Sequence, residues 1–312
     1  MKTDRSFELK QALLNKYHSA VDSAADTDGK GGFVDLTADQ SSNDKLNKAM
    51  YDNSQSVEIY RNFLNWLFAT FDIAEMDFRR DCFERLGNIT GKKILITSCG
   101  LGEDIKVAAI LVGKDGFVHA QDLSRHFISL AADKYSAENI VLTVSNALEL
   151  PYKDGYFDAV FHFGGINLFG DIRLAISEMN RVCKIGGTIL FGDESVAEHL
   201  RADDYGKMFM ENNALWQEKV PLEHLPLCAS DISLSYVLGN CFYLIKFTKS
   251  AQLPYADIDI EHVGYRGGSV RKRYFGKIEG IAPDLKNSLY ELAKKEGKSV
   301  SKIIEELIKT RL

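Results

Sequence analysis

The residues best placed to do chemistry begin at Ser98-Cys99-Gly100-Leu101-Gly102, a glycine turn between the apolar run Lys93–Thr97 and a helix-patterned stretch from Asp104 to Val112. Glycines at such a junction let the backbone turn sharply and approach a ligand closely. A dinucleotide fingerprint that starts at Gly100 needs a third glycine where this chain has Ile105. Glu103 and Asp104 at the helix start oppose a bound pyrophosphate but tolerate a phosphate-free nucleoside. Roughly 20 residues on, Asp122 ends the next strand, where a carboxylate can accept from both ribose hydroxyls. A helix N-cap ahead of Ser124 is the plainer role for the same residue.

These residues need a scaffold, and the pattern supplies one. Lys93–Thr97, Phe117–Gln121, Ile140–Val144, Phe157–Phe163 and Gly187–Asp193 read as strands. Helical stretches at Asp104–Val112, Ser124–Tyr135 and Asp171–Val182 lie between them. The alternation predicts an α/β fold with a doubly wound, largely parallel, Rossmann-like sheet, whose ligands bind at the carboxyl ends of the strands. Ile232–Leu238 and Asn240–Thr248, joined at Gly239, predict an antiparallel C-terminal hairpin at the sheet edge. Ahead of the sheet, Val57–Phe71 and Met76–Leu86 have helical spacing, and Phe7–Val21 suggests a short amphipathic helix. Asp26–Gly32 reads as a loop; its alternating acids lack the later Glu that closes a calcium loop. The expected division is a polar N-terminal segment over 1–50, a catalytic domain with N-terminal lid helices over 51–250, a basic aromatic linker over 251–276 and a C-terminal helical extension over 277–312.

The run from Ile94 to Asp193 resembles class I S-adenosylmethionine-dependent methyltransferases, nearest to the subgroup that acts in ubiquinone and menaquinone biosynthesis. Four blocks carry the resemblance in order: Ile94–Gly102, Gln121-Asp122-Leu123-Ser124, Asn146–Tyr152 followed by Tyr156–Val160, and Arg181–Gly187. The resemblance implies S-adenosylmethionine as cofactor. It implies that Ser98, Gly100 and Gly102 hold the methionine end, Asp122 the ribose, and Leu123, Asn146 and Ala147 the adenine. It also implies that the segment from His162 and Phe163 to Phe169 faces the methyl group. Three positions depart from the family: Ile96 stands in place of an acid, Ser98 in place of a glycine, and Asn146 in place of an aspartate. An amide oxygen can still accept from the adenine amino group.

Methyl transfer is a displacement at carbon, so positioning can supply much of the rate and a base is needed only where the acceptor loses a proton. His162 and Asn167 are the catalytic candidates on this segment. Tyr51 and Tyr60 are lid candidates, since an aromatic face attracts a sulfonium. His199 and His224 lie where substrate specificity usually resides. No residue set with metal-ligand spacing is present.

Composition narrows the class. Of 312 residues, 45% are hydrophobic and 26% charged, the balance of a globular chain and not of a disordered one. Five scattered cysteines without a C-x-x-C, an N-terminus with no apolar leader and the lack of a membrane-length apolar run predict a cytoplasmic protein off the membrane. The net charge of −6 hides an asymmetry: from Arg266 onward twelve Lys/Arg face six Asp/Glu, a local +6, which leaves −12 on the first 265 residues. Arg266 and Arg271, within Tyr265–Gly276, can clamp an anionic substrate. Beyond them a strand at Lys277–Ile281, a helix opened by Pro283 and closed by Gly297, and a second helix capped by Ser299 resemble a ribbon-helix-helix module. Glu279 in that strand opposes DNA, so dimerisation is the favoured use. The reading is an S-adenosylmethionine-dependent methyltransferase for a small molecule, with an anionic acceptor suggested by the basic segment, homodimeric through the extension. A nucleic-acid methyltransferase and a non-enzymatic S-adenosylmethionine-sensing DNA-binding regulator are the alternatives.

Overall fold

The structure is a computed structural model that describes residues 33–35, 54–135, 137–265, 267–276 and 281–312. The expected helix at Phe7–Val21, the Asp26–Gly32 loop, Tyr51, Arg266 and the strand at 277–280 lie outside the described residues. The chain divides into two compact units, 1–253 and 254–312.

The first unit is built on one sheet of β1 (Val34–Asp35), β2 (Lys93–Thr97), β3 (Phe117–Asp122), β4 (Ile140–Val144), β5 (Phe157–Phe163), β6 (Cys183–Glu194), β7 (Ala229–Val237) and β8 (Phe242–Lys249). Their spatial order is β1-β4-β3-β2-β5-β6-β8-β7. Pairings from β1 to β6 are parallel, while β6–β8 and β7–β8 are antiparallel. The order runs one way from β2 through β3 and β4 and the other way from β5 through β6, so the crevice between β2 and β5 is the topological switch point. The central strands are buried on both faces, which is why they read as unbroken apolar runs.

Helices α1 (Ser54–Thr70), α2 (Glu75–Glu84), α3 (Glu103–Val112), α4 (Arg125–Lys134), α5 (Ile172–Val182) and α6 (Asp204–Asn212) complete the unit. Ser124 caps α4 by accepting from Phe127 N, and Asp171 caps α5 by accepting from Leu174 N. Phe83 of α2 stacks on Phe161 of β5 at 4.3 Å between ring centroids. Leu67 and Phe83 are buried, and full burial of each side chain contributes about 1.5–3 kcal/mol. Two elements escaped the sequence. β1 has only two residues, too few for a period. The segment after β6, expected to be loose, contains α6, whose Asp203 cap accepts from Tyr205 N.

The second unit holds α7 (Val270–Phe275), α8 (Pro283–Glu296) and α9 (Val300–Lys309). Gly297 ends α8 at φ 63°, in the left-handed region, and Ser299 caps α9 by accepting from Lys302 N. Ala293 and Ile303 are buried between these helices, while Leu285, Leu307 and Ile308 are exposed. Arg271 is ion-paired to Asp259 at 2.8 Å and to Glu305 at 2.7 Å, and Lys272 pairs with Glu261. Arg271, one of the two cations expected to clamp an anion, is thus engaged within its own unit. No helix among the described residues is long and apolar enough to cross a membrane.

Candidate functional site

A cavity of about 210 Å³ opens at the carboxyl ends of β2, β3 and β5, at the switch point. Its wall includes Ser98, Gly100, Asp122, Leu123, Asn146, Ala147 and Phe163, seven of the eight residues that the resemblance assigns to the cofactor. Gly102, the eighth, sits behind them as the N-cap of α3 at φ 88°. A side chain there would meet Tyr135 at 2.8 Å, so only glycine fits the turn.

Asp122 ties two parts of the wall together. One carboxylate oxygen accepts from Gly100 N at 2.9 Å and the other from Ser124 N at 2.8 Å. Ser124, not Asp122, caps α4. A carboxylate oxygen can accept more than one hydrogen bond, so these contacts are compatible with a ligand hydroxyl at the same side chain. Gln121, one residue earlier, is buried and lines the cavity, and neither of its amide atoms meets a partner among the described residues. A buried amide with an unmet donor and acceptor suits a hydroxyl-rich ligand. The side-chain oxygen of Asn146 accepts from Leu148 N at 3.0 Å, which fixes the amide beside Ala147.

The two departures in the glycine turn have structural counterparts. Ile96 is buried in the core. Ser98 adopts φ 50°, the left-handed region that glycine occupies without strain. Tyr60 of α1 covers the turn: a side chain on Gly100 would come within 3.1 Å of the Tyr60 hydroxyl. Burial holds the Tyr60 phenol well above its ordinary pKa, against the lowering pull of Arg79.

Sequence reasoning missed Arg79, which also lines the cavity. It is ion-paired to Glu75 at 2.7 Å and to Asp104 at 2.8 Å, and the Arg79–Asp104 pair is almost wholly buried. Asp104, expected to repel a pyrophosphate, is therefore neutralised by α2. The only sequence signal was the four-residue spacing of Glu75 and Arg79.

The catalytic candidates fall differently. His162 is fully buried on β5 and is absent from the cavity wall. Its Nδ1 meets Thr97 Oγ1 at 2.9 Å, and burial lowers its pKa to about 4. The structure thus places it in the core, away from the cavity wall. Asn167 is also outside the wall; its backbone N–H donates to Asp193 at 2.7 Å and its side-chain amide to the Glu194 carbonyl at 2.8 Å. It braces the loop that carries Leu168 and Phe169 into the cavity. His199 is exposed and His224 half-buried, and neither reaches the wall. Glu194, the last residue of β6, does line it, and no sequence motif singled it out. Among the described residues no group of three His, Cys, Asp or Glu side chains is arranged to hold a metal.

Residues 95–191 match the family described as Methyltransferase domain. The matched stretch runs from β2 into β6, the strands at whose carboxyl ends the cavity opens. The demethylmenaquinone methyltransferase of Geobacillus stearothermophilus is 32% identical over 142 residues, 45% of this chain and 56% of the relative. That of Staphylococcus aureus (strain MRSA252) is 33% identical over 114 residues, 36% of this chain and 47% of the relative. The chain spans about half the length of the curated relatives it matches. Phosphoethanolamine N-methyltransferase 2 of Haemonchus contortus, solved in complex with S-adenosyl-L-methionine, aligns with a TM-score of 0.51 at 15% identity, over 65% of this chain and 60% of that one. That likeness is one of fold.

Proposed function

We propose that this protein transfers a methyl group from S-adenosylmethionine to a small-molecule acceptor and releases S-adenosylhomocysteine. The observation that carries the reading is one cavity in which the glycine turn, Asp122 and the Asn146–Ala147 segment open onto a phenylalanine-rich chamber. The cofactor supplies a methyl group on a positively charged sulfur. Asp122 and Gln121 hold the ribose hydroxyls, and Leu123, Asn146 and Ala147 take the adenine. Ser98, Gly100 and Gly102 shape the turn against the methionine end, and Phe163 borders the reacting carbon. Tyr60 closes this end of the cavity with an aromatic face suited to a cation. In-line displacement then depends on holding the acceptor close and aligned.

A small molecule fits better than a nucleic acid. The chamber is a cavity lined mostly by apolar side chains, and Arg271 and Lys272 of the basic segment are already paired with acids. The second unit, with exposed Leu285, Leu307 and Ile308, is assigned to homodimer formation. The test is calorimetric titration with S-adenosylmethionine, followed by detection of S-adenosylhomocysteine when metabolite pools are supplied. Saturable binding with turnover supports the reading; no binding overturns it.

A further inference from the structure

Glu194 is the acidic side chain of the cavity that the cofactor assignment leaves unused. It ends β6 directly opposite Phe242 of β8 in the antiparallel register. Directly opposed residues of such a pair project from the same face, and both side chains line the cavity. The wall around them is aromatic: Phe63, Phe68, Phe163 and Phe169 join Phe242, with Leu215 beside them. Glu194 is only 7% exposed. Among the described residues it makes no ion pair, since Arg79, the cation that shares the cavity wall, is held by Glu75 and Asp104. Its carboxyl shares a hydrogen bond with that of Asp193, an acid and not a cation, so no positive charge among the described residues offsets its burial.

We propose that Glu194 is the proton acceptor for a flat, apolar acceptor molecule that bears a single hydroxyl group. This inference rests on the methyltransferase reading above. The phenylalanines cover the ring and the carboxylate accepts the hydroxyl hydrogen. As the acceptor oxygen takes the methyl group, its O–H bond breaks and the proton passes to a Glu194 carboxylate oxygen. The electron pair of the broken S–C bond stays on sulfur. The proton then leaves to solvent, which restores the carboxylate.

The surroundings fit a group that exchanges protons. Burial first, and the Asp193 carboxylate second, push Glu194 well above the ordinary range of a glutamate. Asp193 itself accepts from Gly165, Asn167 and Glu194 backbone N–H groups, which leaves it fixed in place. The other titratable groups facing this corner are Tyr243 on β8, raised by burial and by both acids, and neutral His162 on β5, which feels Asp193. A group raised in this way is a strong base once ionised.

The experiment uses the full chain, S-adenosylhomocysteine and 1-naphthol as the probe, with 1-methoxynaphthalene as the control that lacks the hydrogen. Calorimetry on the S-adenosylhomocysteine complex should show 1-naphthol bound about tenfold tighter than the ether. E194L should erase that preference while S-adenosylhomocysteine affinity stays unchanged. E194Q should keep part of the preference but lose its pH dependence. In the wild type, 1-naphthol affinity should rise with pH as Glu194 ionises, because a carboxylate accepts the stronger bond. Equal preference in wild type and E194L, or a wild type that binds neither naphthalene, overturns the proposal. A wild type that fails to bind S-adenosylhomocysteine overturns the methyltransferase reading instead, and this inference with it.

Discussion

The carboxylate of Asp122 accepts a hydrogen bond from the backbone N–H of Gly100 at 2.9 Å, which fastens the end of β3 to the glycine turn that follows β2. One side chain thus shapes the turn and lines the cavity. Asp122→Ala should weaken S-adenosylmethionine binding by about 1.5–3 kcal/mol, the worth of hydrogen bonds to a charged group. Calorimetry measures it, and unchanged affinity would contradict the ribose assignment.

Arg79 and Asp104 form a buried ion pair at 2.8 Å beside the same turn. Removal of one partner leaves an uncompensated buried charge, so Arg79→Met should cost about 3–5 kcal/mol of stability. The double variant Arg79→Met/Asp104→Leu should recover a substantial part of that loss. Urea unfolding of the single and double variants decides it: additive losses would mean that the two residues act independently.

Much of this architecture was legible before any coordinates. The strands from Lys93 to Glu194 are buried on both faces and announce themselves as apolar runs, and Ser124, Asp171, Gly297 and Ser299 act at helix ends as their types require. The cavity residues from Ser98 to Ala147 were legible because each sits directly after a strand, where chain order and spatial order coincide. Arg79 and Glu194 were not, because their roles depend on α2 and β8 folding over the cavity, a contact that no local spacing encodes. The burial of His162 was hidden for the complementary reason. Its place at a strand end suggested chemistry, while its burial against Thr97 depends on packing.

Ser98 carries a side chain at φ 50°. A left-handed residue with a Cβ costs about 1–2 kcal/mol, partly offset when glycine replaces it because glycine loses more chain entropy on folding. Ser98→Gly should therefore be neutral or stabilising by up to about 1 kcal/mol, whereas Ser98→Val should lose about 1–3 kcal/mol. Chemical denaturation of both variants is the check, and a destabilised Ser98→Gly would mean that the serine hydroxyl makes a needed bond.

His162 has a folded-state pKa near 4 against an ordinary value of 6.5, with burial as the main cause. The unfolded chain therefore binds the proton more readily. The stability tied to keeping His162 neutral is fully present above pH 6.5 and is lost as pH falls through 4. The full loss is about 3 kcal/mol. His162→Gln should flatten the pH dependence of unfolding across that window; an unchanged slope would show that other groups carry it.

The central claim is methyl transfer to a small molecule, and isotope tracing tests it most directly. S-adenosylmethionine labelled with carbon-13 in its methyl group is incubated with the protein and a metabolite extract freed of protein and nucleic acid. Labelled methyl should appear in a low-mass product, with S-adenosylhomocysteine formed in equal amount. Cofactor binding without any S-adenosylhomocysteine, or label that appears only when nucleic acid is added back, would contradict it.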